Sequence, residues 1–194
     1  MKKGVRDTHG CAPERSPVVL LLIDTINDFD FSRGRQLLHF ALPAARRIAN
    51  LKARLRKRGV PAIYVNDNFG RWQSDFRHQV EHCLGDEKPG APVARLLIPR
   101  EDDYFVLKPK HSGFYSTSLD VLLGYLGATK LILTGFATNL CVLYTANDAY
   151  MRDFDLIVPA DCVAAETAVA NRAALTQMRR QLRADTCVSR ALRL

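Results

Sequence analysis

From Pro17 onward, short unbroken apolar runs alternate with longer stretches whose apolar residues recur every three or four positions. The first rhythm suits strands covered on both faces, and the second suits helices with one buried side. "PVVLLLID" is the first strand. A helix over Leu42 to Arg58 follows, with Pro43 accommodated in its first turn and Gly59 just past its end. "VPAIYVN" is the second strand, its Pro61 near the start, where a strand best tolerates proline. From Asp67 to Gly90 the rhythm dissolves into a polar segment that holds Trp72, His78 and His82 and room for one short helix. Loops this long in compact domains often carry function.

Regularity then returns. A short helix from Pro92 to Leu97 precedes a strand from Tyr104 to Lys108, and Ser116 or Thr117 opens a helix with Leu119, Leu122, Leu123 and Leu126 on one face. "TKLILTGF" is the fourth strand. A helix from about Leu140 to Arg152, a strand in "DLIVPADCV", a helix from Glu166 to Leu182 and a last strand "ADTCVS" complete the series. Strands alternating with helices imply βαβ units and a parallel sheet rather than a bundle or a β-sandwich. Six such units are too few for an eightfold barrel, so the expected fold is α/β, a three-layer α/β/α sandwich around a six-stranded, mostly parallel sheet. Residues 1–15 read as a loose N-terminal arm and 16–194 as a single domain.

Composition narrows the classes. With 194 residues, 47% hydrophobic and 25% charged, the chain can bury a two-sided core. Its longest aliphatic run, Val18 to Ile23, is far shorter than the roughly 20 residues a membrane-spanning helix needs, and nothing before it resembles a signal peptide. A cytoplasmic protein without a membrane partner is expected. The five cysteines (Cys11, Cys83, Cys141, Cys162, Cys187) form no C-x-x-C pair, which suits reduced thiols better than a disulfide framework or a zinc site.

The net charge of +8 raises nucleic acid as a partner, because Arg46, Arg47, Lys52, Arg54, Arg56, Lys57 and Arg58 crowd one expected helix. No zinc-finger spacing or aromatic RNA-binding motif accompanies them, so a solvated helix face is the reading and no nucleic acid is expected. Neither G-x-G-x-x-G nor G-x-x-x-x-G-K-[ST] occurs, which removes the two common nucleotide fingerprints.

In open parallel sheets the reactive edge lies outside the carboxyl ends of the strands. Three chemically complementary residues stand there: Asp24 after the first strand, Lys108 at the end of the third, and Cys141 just after the fourth. Singly they read as a helix cap, a surface charge and a buried filler. Together they supply a base, a cation and a nucleophile. With Thr138 or Asn139 as N-cap, Cys141 falls in a first helical turn, where the helix dipole and a nearby cation favour its thiolate. Asp24 then accepts the thiol proton and returns it to a leaving amine, with Lys108 as its electrostatic partner. Backbone N–H groups of Ala137 and Cys141 are candidates for an oxyanion hole.

Three segments carry a family resemblance. "LLIDTINDF", "KPKHSGFYSTSLDVLL" and "LTGFATNLCVLYTANDAY" resemble the signature segments of the isochorismatase-like cysteine hydrolases, a group that includes nicotinamidases and ureidoacrylate and carbamoyl amidohydrolases. The likeness extends over nearly all of the chain after residue 16. It implies Asp24 as base, Lys108 as partner, Cys141 as nucleophile, a cis peptide between Phe136 and Ala137, and self-association as dimers or tetramers. Isochorismate hydrolases proper generally lack the cysteine, so Cys141 points toward C–N bond hydrolysis of a small amide, carbamoyl or ureido compound through a thioester.

The chain also departs from the pattern. Nicotinamidases hold a metal through Asp-x-His after the second strand, whereas here Asp67 is followed by Asn68 and Phe69. One carboxylate is a weak site for a transition metal, so no metal or other cofactor is expected; His78 and His82 read as loop or helix residues. Asp67 and Asn68 either orient substrate or shape the turn. Candidate substrate contacts are Phe29, Asn66, Trp72, Phe114, Phe136 and Tyr144, with Phe114 foremost from its place in the Ser-Gly-Phe segment. The competing reading is an inactive member of the fold that uses its basic surface to bind an acidic partner.

Overall fold

The computed structural model describes residues 15–70 and 75–193. Six strands form the sheet: β1 (Val18–Ile23), β2 (Ala62–Asp67), β3 (Tyr104–Lys108), β4 (Lys130–Phe136), β5 (Asp155–Ile157) and β6 (Val163–Ala164). Their order is β3-β2-β1-β4-β5, with β6 also on β4, and every pairing is parallel. The helices are α1 (Gly34–Arg56), α2 (Phe76–Leu84), α3 (Ala91–Leu96), α4 (Leu119–Leu126), α5 (Leu143–Tyr150) and α6 (Ala168–Gln181). None is long and apolar enough to cross a membrane.

The apolar runs work as two-faced strands. Along β1, Leu20 and Leu22 join the core shared with α1, α2 and α3, while Val19, Leu21 and Ile23 join the opposite core beneath α4, α5 and α6. β2 divides in the same way, with Ala62 and Tyr64 on one side and Ile63 and Val65 on the other. A one-residue slip would exchange the two sets, so pairing register is tightly specified. That register sets Asp67 beside Lys108 and Ile23 beside both Val65 and Gly135, which aligns the strand ends on one edge.

Several boundaries differ from expectation. α1 starts eight residues before Leu42 and carries Pro43 in its interior, on the exposed side. Its start lacks the usual signal: Arg33 caps it in a left-handed conformation without a side-chain hydrogen bond. "DLIVPADCV" divides into β5 and β6, and "ADTCVS" contributes a single bridge between Ile157 and Asp185. The basic residues of α1 are not simply a solvated face. Lys52 donates to the Tyr64 hydroxyl at 2.8 Å and pairs with Asp103, Arg56 pairs with Asp102, and Arg54 reaches the Ser189 carbonyl.

At Gly135 the backbone of β4 lies tightly against that of β1. The residue has φ 119°, and a Cβ there would lie 1.9 Å from the Ile23 carbonyl oxygen. Both the dihedral and the collision penalise any side chain. Gly135→Ala should therefore cost about 3 kcal/mol or more, read as a lower denaturation midpoint in urea with an unchanged slope. A loss below about 1 kcal/mol would show that the strands can part here without consequence.

Candidate active site

β1 ends at Ile23, and the chain turns sharply at Asp24, which has φ 49°. Left-handed backbone is uncommon for a non-glycine residue and recurs at functional sites. The turn directs the Asp24 carboxylate across the end of β2. There Oδ1 accepts the Asp67 N–H at 2.7 Å, and Oδ2 lies 2.9 Å from Lys108 Nζ. Lys108 comes from the edge strand and is fully buried, so its ammonium has no water to replace Asp24. It also donates to Cys141 Sγ at 3.4 Å and lies 3.9 Å from Asp67 Oδ2.

Cys141 arrives from the other side of β1. After β4 the Phe136–Ala137 peptide bond is cis, and residues Thr138–Val142 form one π-helical turn before α5. This revises the expected N-cap. Ala137, in an extended conformation, precedes the turn; Thr138 Oγ1 instead donates to Asn171 Oδ1 at 2.5 Å. π turns are rare and frequent at functional sites. The turn leaves the sulfur half-buried.

Electrostatics reverse one expectation. The Cys141 thiol is pushed up, not down, first by burial and then by the Asp24 charge, with Lys108 pulling the other way. Burial likewise lifts the Asp24 carboxyl above the ordinary carboxylate range, against the pull of Lys108 and of hydrogen bonds from Cys141, Lys108 and Asp67. For Lys108 burial alone disfavours the ammonium, but the attraction of Asp24, Cys141 and Asp67 outweighs it and its pKa rises. All three groups hold protons more tightly than in water. The resting site thus presents a thiol beside a proton acceptor and an ammonium, rather than a preformed thiolate.

A testable separation follows from those causes. Asp24→Asn removes the second-largest influence raising the thiol and leaves Lys108 to favour the thiolate. The ultraviolet thiolate absorbance of Cys141, taken as the difference from Cys141→Ala, should then appear at lower pH than in the unaltered protein. An unchanged or higher midpoint would mean that Asp24 does not hold the sulfur protonated.

The other anticipated contacts scatter. Phe29 is 1% exposed and Phe136 1%, and their rings pack at 6.1 Å within the core. Phe114 is also a packing residue, 5% exposed against Phe154 with Arg152 over its face, which removes the foremost candidate from the site's open side. Asn66 is buried and spends its amide on the Ile26 carbonyl at 2.6 Å, which fixes the loop after β1. Tyr144 remains exposed beside the site. Trp72 and Cys11, like most of the 1–15 arm, lie outside the described residues.

His111, by contrast, was not singled out by its sequence context. Exposed itself, it brings Nδ1 to 3.7 Å from Cys141 Sγ, and its ring sits 5.5 Å from that of Tyr144. The chain from Lys108 to Phe114 is tied to the cysteine helix here: Gly113 N–H donates to Thr145 Oγ1 at 3.0 Å, and Thr145 donates to the Cys141 carbonyl at 2.7 Å. Ser112 also bonds Asp148. Only proximity in the fold reveals the histidine.

Beside Asp67 opens a cavity of about 580 Å³ lined by Asp28, Asn68, Phe69, Asp75, His78, Gln79 and His82. Gln79 donates to the Asp67 carbonyl at 2.9 Å, and His82 Nε2 is 3.2 Å from Asp28 Oδ2. Asp67 Oδ1 accepts the Phe69 N–H at 2.7 Å, and Asn68 Oδ1 accepts the Gly70 N–H at 2.9 Å, so both side chains shape the turn. Among the described residues, no three His, Cys, Asp or Glu side chains converge as metal ligands.

A two-faced parallel sheet with a buried Asp–Lys pair and a cysteine over one edge defines a hydrolase-like α/β protein, and comparison with known proteins places it. The family model for the isochorismatase domain matches residues 18–190, and the chain belongs to the isochorismatase family. An uncharacterized isochorismatase family protein of Bacillus subtilis is 40% identical over 166 residues, covering 86% of this chain and 91% of that one. A probable inactive nicotinamidase of Arabidopsis thaliana is 31% identical over 178 residues, covering 82% and 87%. Among solved structures, N-carbamoylsarcosine amidase from Thermoplasma acidophilum superposes with a TM-score of 0.72 at 26% identity, over 92% of this chain and all of that one.

Proposed function

We propose that this protein hydrolyses the C–N bond of a small amide, carbamoyl or ureido compound, with Cys141 as nucleophile, Asp24 as general base and Lys108 as electrostatic partner. One observation carries the reading: Lys108 Nζ, fully buried, is 2.9 Å from Asp24 and 3.4 Å from Cys141 Sγ. A buried ammonium needs a compensating charge, but it does not need a thiol, and a thiol gains no packing from an ammonium. The arrangement serves chemistry better than stability.

In this mechanism the sulfur attacks the substrate carbonyl carbon as its proton passes to Asp24. The C–N bond then breaks, the nitrogen leaves protonated, and a thioester remains on Cys141. Water cleaves the C–S bond and the sulfur recovers its proton. Lys108 holds Asp24 in position and offsets the negative charge left after the proton moves. The backbone amides of Ala137, just before the π turn, and of Cys141, within it, would receive the oxyanion in this reading. No metal or cofactor is invoked.

The inactive-binder alternative has one point in its favour, the Arabidopsis relative named as probable inactive. The basic surface it relies on is partly occupied, since Lys52, Arg54 and Arg56 are engaged within the chain. Ammonia release across a panel of primary amides, carbamoyl amino acids and ureido acids separates the readings. Turnover that disappears in Cys141→Ala supports hydrolysis; binding without turnover across the panel supports the alternative.

The pH profile provides a second check. Asp24 must be ionised to accept the proton, and burial raises its pKa. Lowering the pH through that raised value removes the base, so the acid limb of kcat/KM should lie above the ordinary aspartate value of about 4. An acid limb at or below that value would exclude Asp24 as the base.

A further inference from the structure

We propose that the outer edge of β3 is a self-association surface, on which a second copy of this chain lays its own β3 antiparallel and makes one continuous sheet across the two copies. β3 ends the strand order, and among the described strands it pairs with β2 alone. The Lys108 carbonyl accepts the Asn68 N–H at 3.1 Å, on the β2 side. Backbone groups alternate in direction along a strand, so those of Phe105 and Leu107 point out of the sheet. Among the described residues they find no backbone partner there. An open edge of this kind is a template for another strand unless it is covered. Phe105 stands in the middle of it with 52% exposure.

The charges along this edge complement their own reverse. Glu101, Asp102 and Asp103 precede the strand, and Lys108 and Lys110 close it on either side of Pro109. Two copies related by a twofold axis, the commonest arrangement of identical subunits, set the acidic end of each against the basic end of the other. Asp103 and Lys108 are committed within the chain, to Lys52 and Asp24, which leaves Asp102 and Lys110 to meet across the edge. Lys110 is exposed, and the Asp102 side chain is 59% exposed despite its contact with Arg56. Backbone chemistry selects the same register. Centred on Val106, the pairing faces Phe105 of each copy with Leu107 of the other, and the two residues exchange both N–H···O bonds. Asp102 then stands opposite Lys110. Centring on Leu107 would require an N–H from Pro109, which has none, and centring on Phe105 would require the Asp103 N–H, already given to the Arg100 carbonyl, and would oppose Arg100 with Lys110. In the chosen register the Phe105 ring, stacked on Phe76 at 5.1 Å, gains the half-buried Leu107 of the other copy as its cross-strand neighbour.

Sedimentation equilibrium from about 1 to about 100 µM should show a monomer–dimer equilibrium. Asp102→Lys and Lys110→Asp each set like charges face to face, and twofold symmetry repeats the contact. Each should weaken the dimer by about tenfold or more, and the double variant, which restores opposite charges, should return to within about threefold of the unaltered protein. Leu107→Pro removes an outward N–H and leaves the bonds to β2 in place, so it should keep the circular dichroism spectrum while shifting the protein to monomer. A protein that stays monomeric throughout the range, an assembly whose dissociation constant moves with none of these variants, or a double variant no tighter than the single ones would overturn the proposal. The reaction assigned to Cys141 stands or falls separately from every one of these outcomes.

Discussion

Cys141→Ala should fold like the unaltered protein and yet hydrolyse amides no faster than background, a loss of at least about 10⁴-fold in kcat. The two halves of this expectation have separate causes. Cys141 is half-buried on a turn whose bonds are made by backbone and by neighbours, among them Ala137 O with Leu140 N–H at 3.1 Å and Val142 N–H at 3.3 Å. Truncating the sulfur leaves these in place. It also removes a contact that Lys108 can spare, because the ammonium retains Asp24 at 2.9 Å. Covalent chemistry has no such substitute: without the sulfur no thioester forms, and Asp24 has no thiol to deprotonate. Circular dichroism and urea unfolding check the first half, and ammonia release checks the second. Residual turnover within about tenfold of the original would place the nucleophile elsewhere.

Lys108→Met produces the opposite pattern, a structural loss as large as the catalytic one. The methionine fills the channel occupied by the lysine stem, but it leaves the Asp24 carboxylate buried without its cation. Removing one member of a buried pair typically costs about 3–5 kcal/mol. The cost should depend on pH, and its sign follows from Asp24. Burial already raises the carboxyl above its unfolded value, and loss of Lys108 withdraws the main opposing influence, so the shift grows. A group whose folded pKa is raised contributes its full stabilisation below the unfolded pKa and loses it as pH rises through the folded one. The Lys108→Met defect should accordingly shrink between pH 7 and pH 5, when measured against the unaltered protein in parallel urea titrations. A defect independent of pH would mean that the cost is one of packing rather than of the stranded charge.

The strands of the sheet were readable because burial on both faces demands uninterrupted apolar runs, and Val18–Ile23 and Lys130–Phe136 supply them. The reactive edge followed from the same fact: parallel strands end on one side, so Asp24, Lys108 and the turn bearing Cys141 had to meet or nearly meet there. Elements held by tertiary context were less legible. The first two turns of α1 lack a capping side chain, and the expected C-terminal strand keeps one bridge because its backbone bonds, Asp185 N–H to Leu156 O, Val158 N–H to Asp185 O and Ala160 N–H to Cys187 O, are too few to make a ladder.

The site shows the same division. Residue types at strand ends picked out three side chains that do meet, whereas the protonation of Cys141 depends on burial and on a carboxylate more than a hundred positions away in the chain, neither of which composition records. Phe114 illustrates the converse. Its place in a recognisable segment suggested a contact with substrate, but an aromatic ring there satisfies the core, against Phe154 and beneath Arg152. His111, four residues before Tyr115 and three after Lys108, carried no periodic or motif signal of its own, and only the folding of its loop over α5 brings it to the sulfur.

The covalent intermediate offers the shortest path to the central claim. Acid-quenching the protein during hydrolysis of p-nitrophenyl acetate and measuring its intact and peptide masses should reveal one acetyl group, carried by the peptide containing Cys141 and missing from Cys141→Ala. Hydrolysis of the probe with the acetyl group on another residue, or with no acyl group on any peptide while turnover continues, would contradict it.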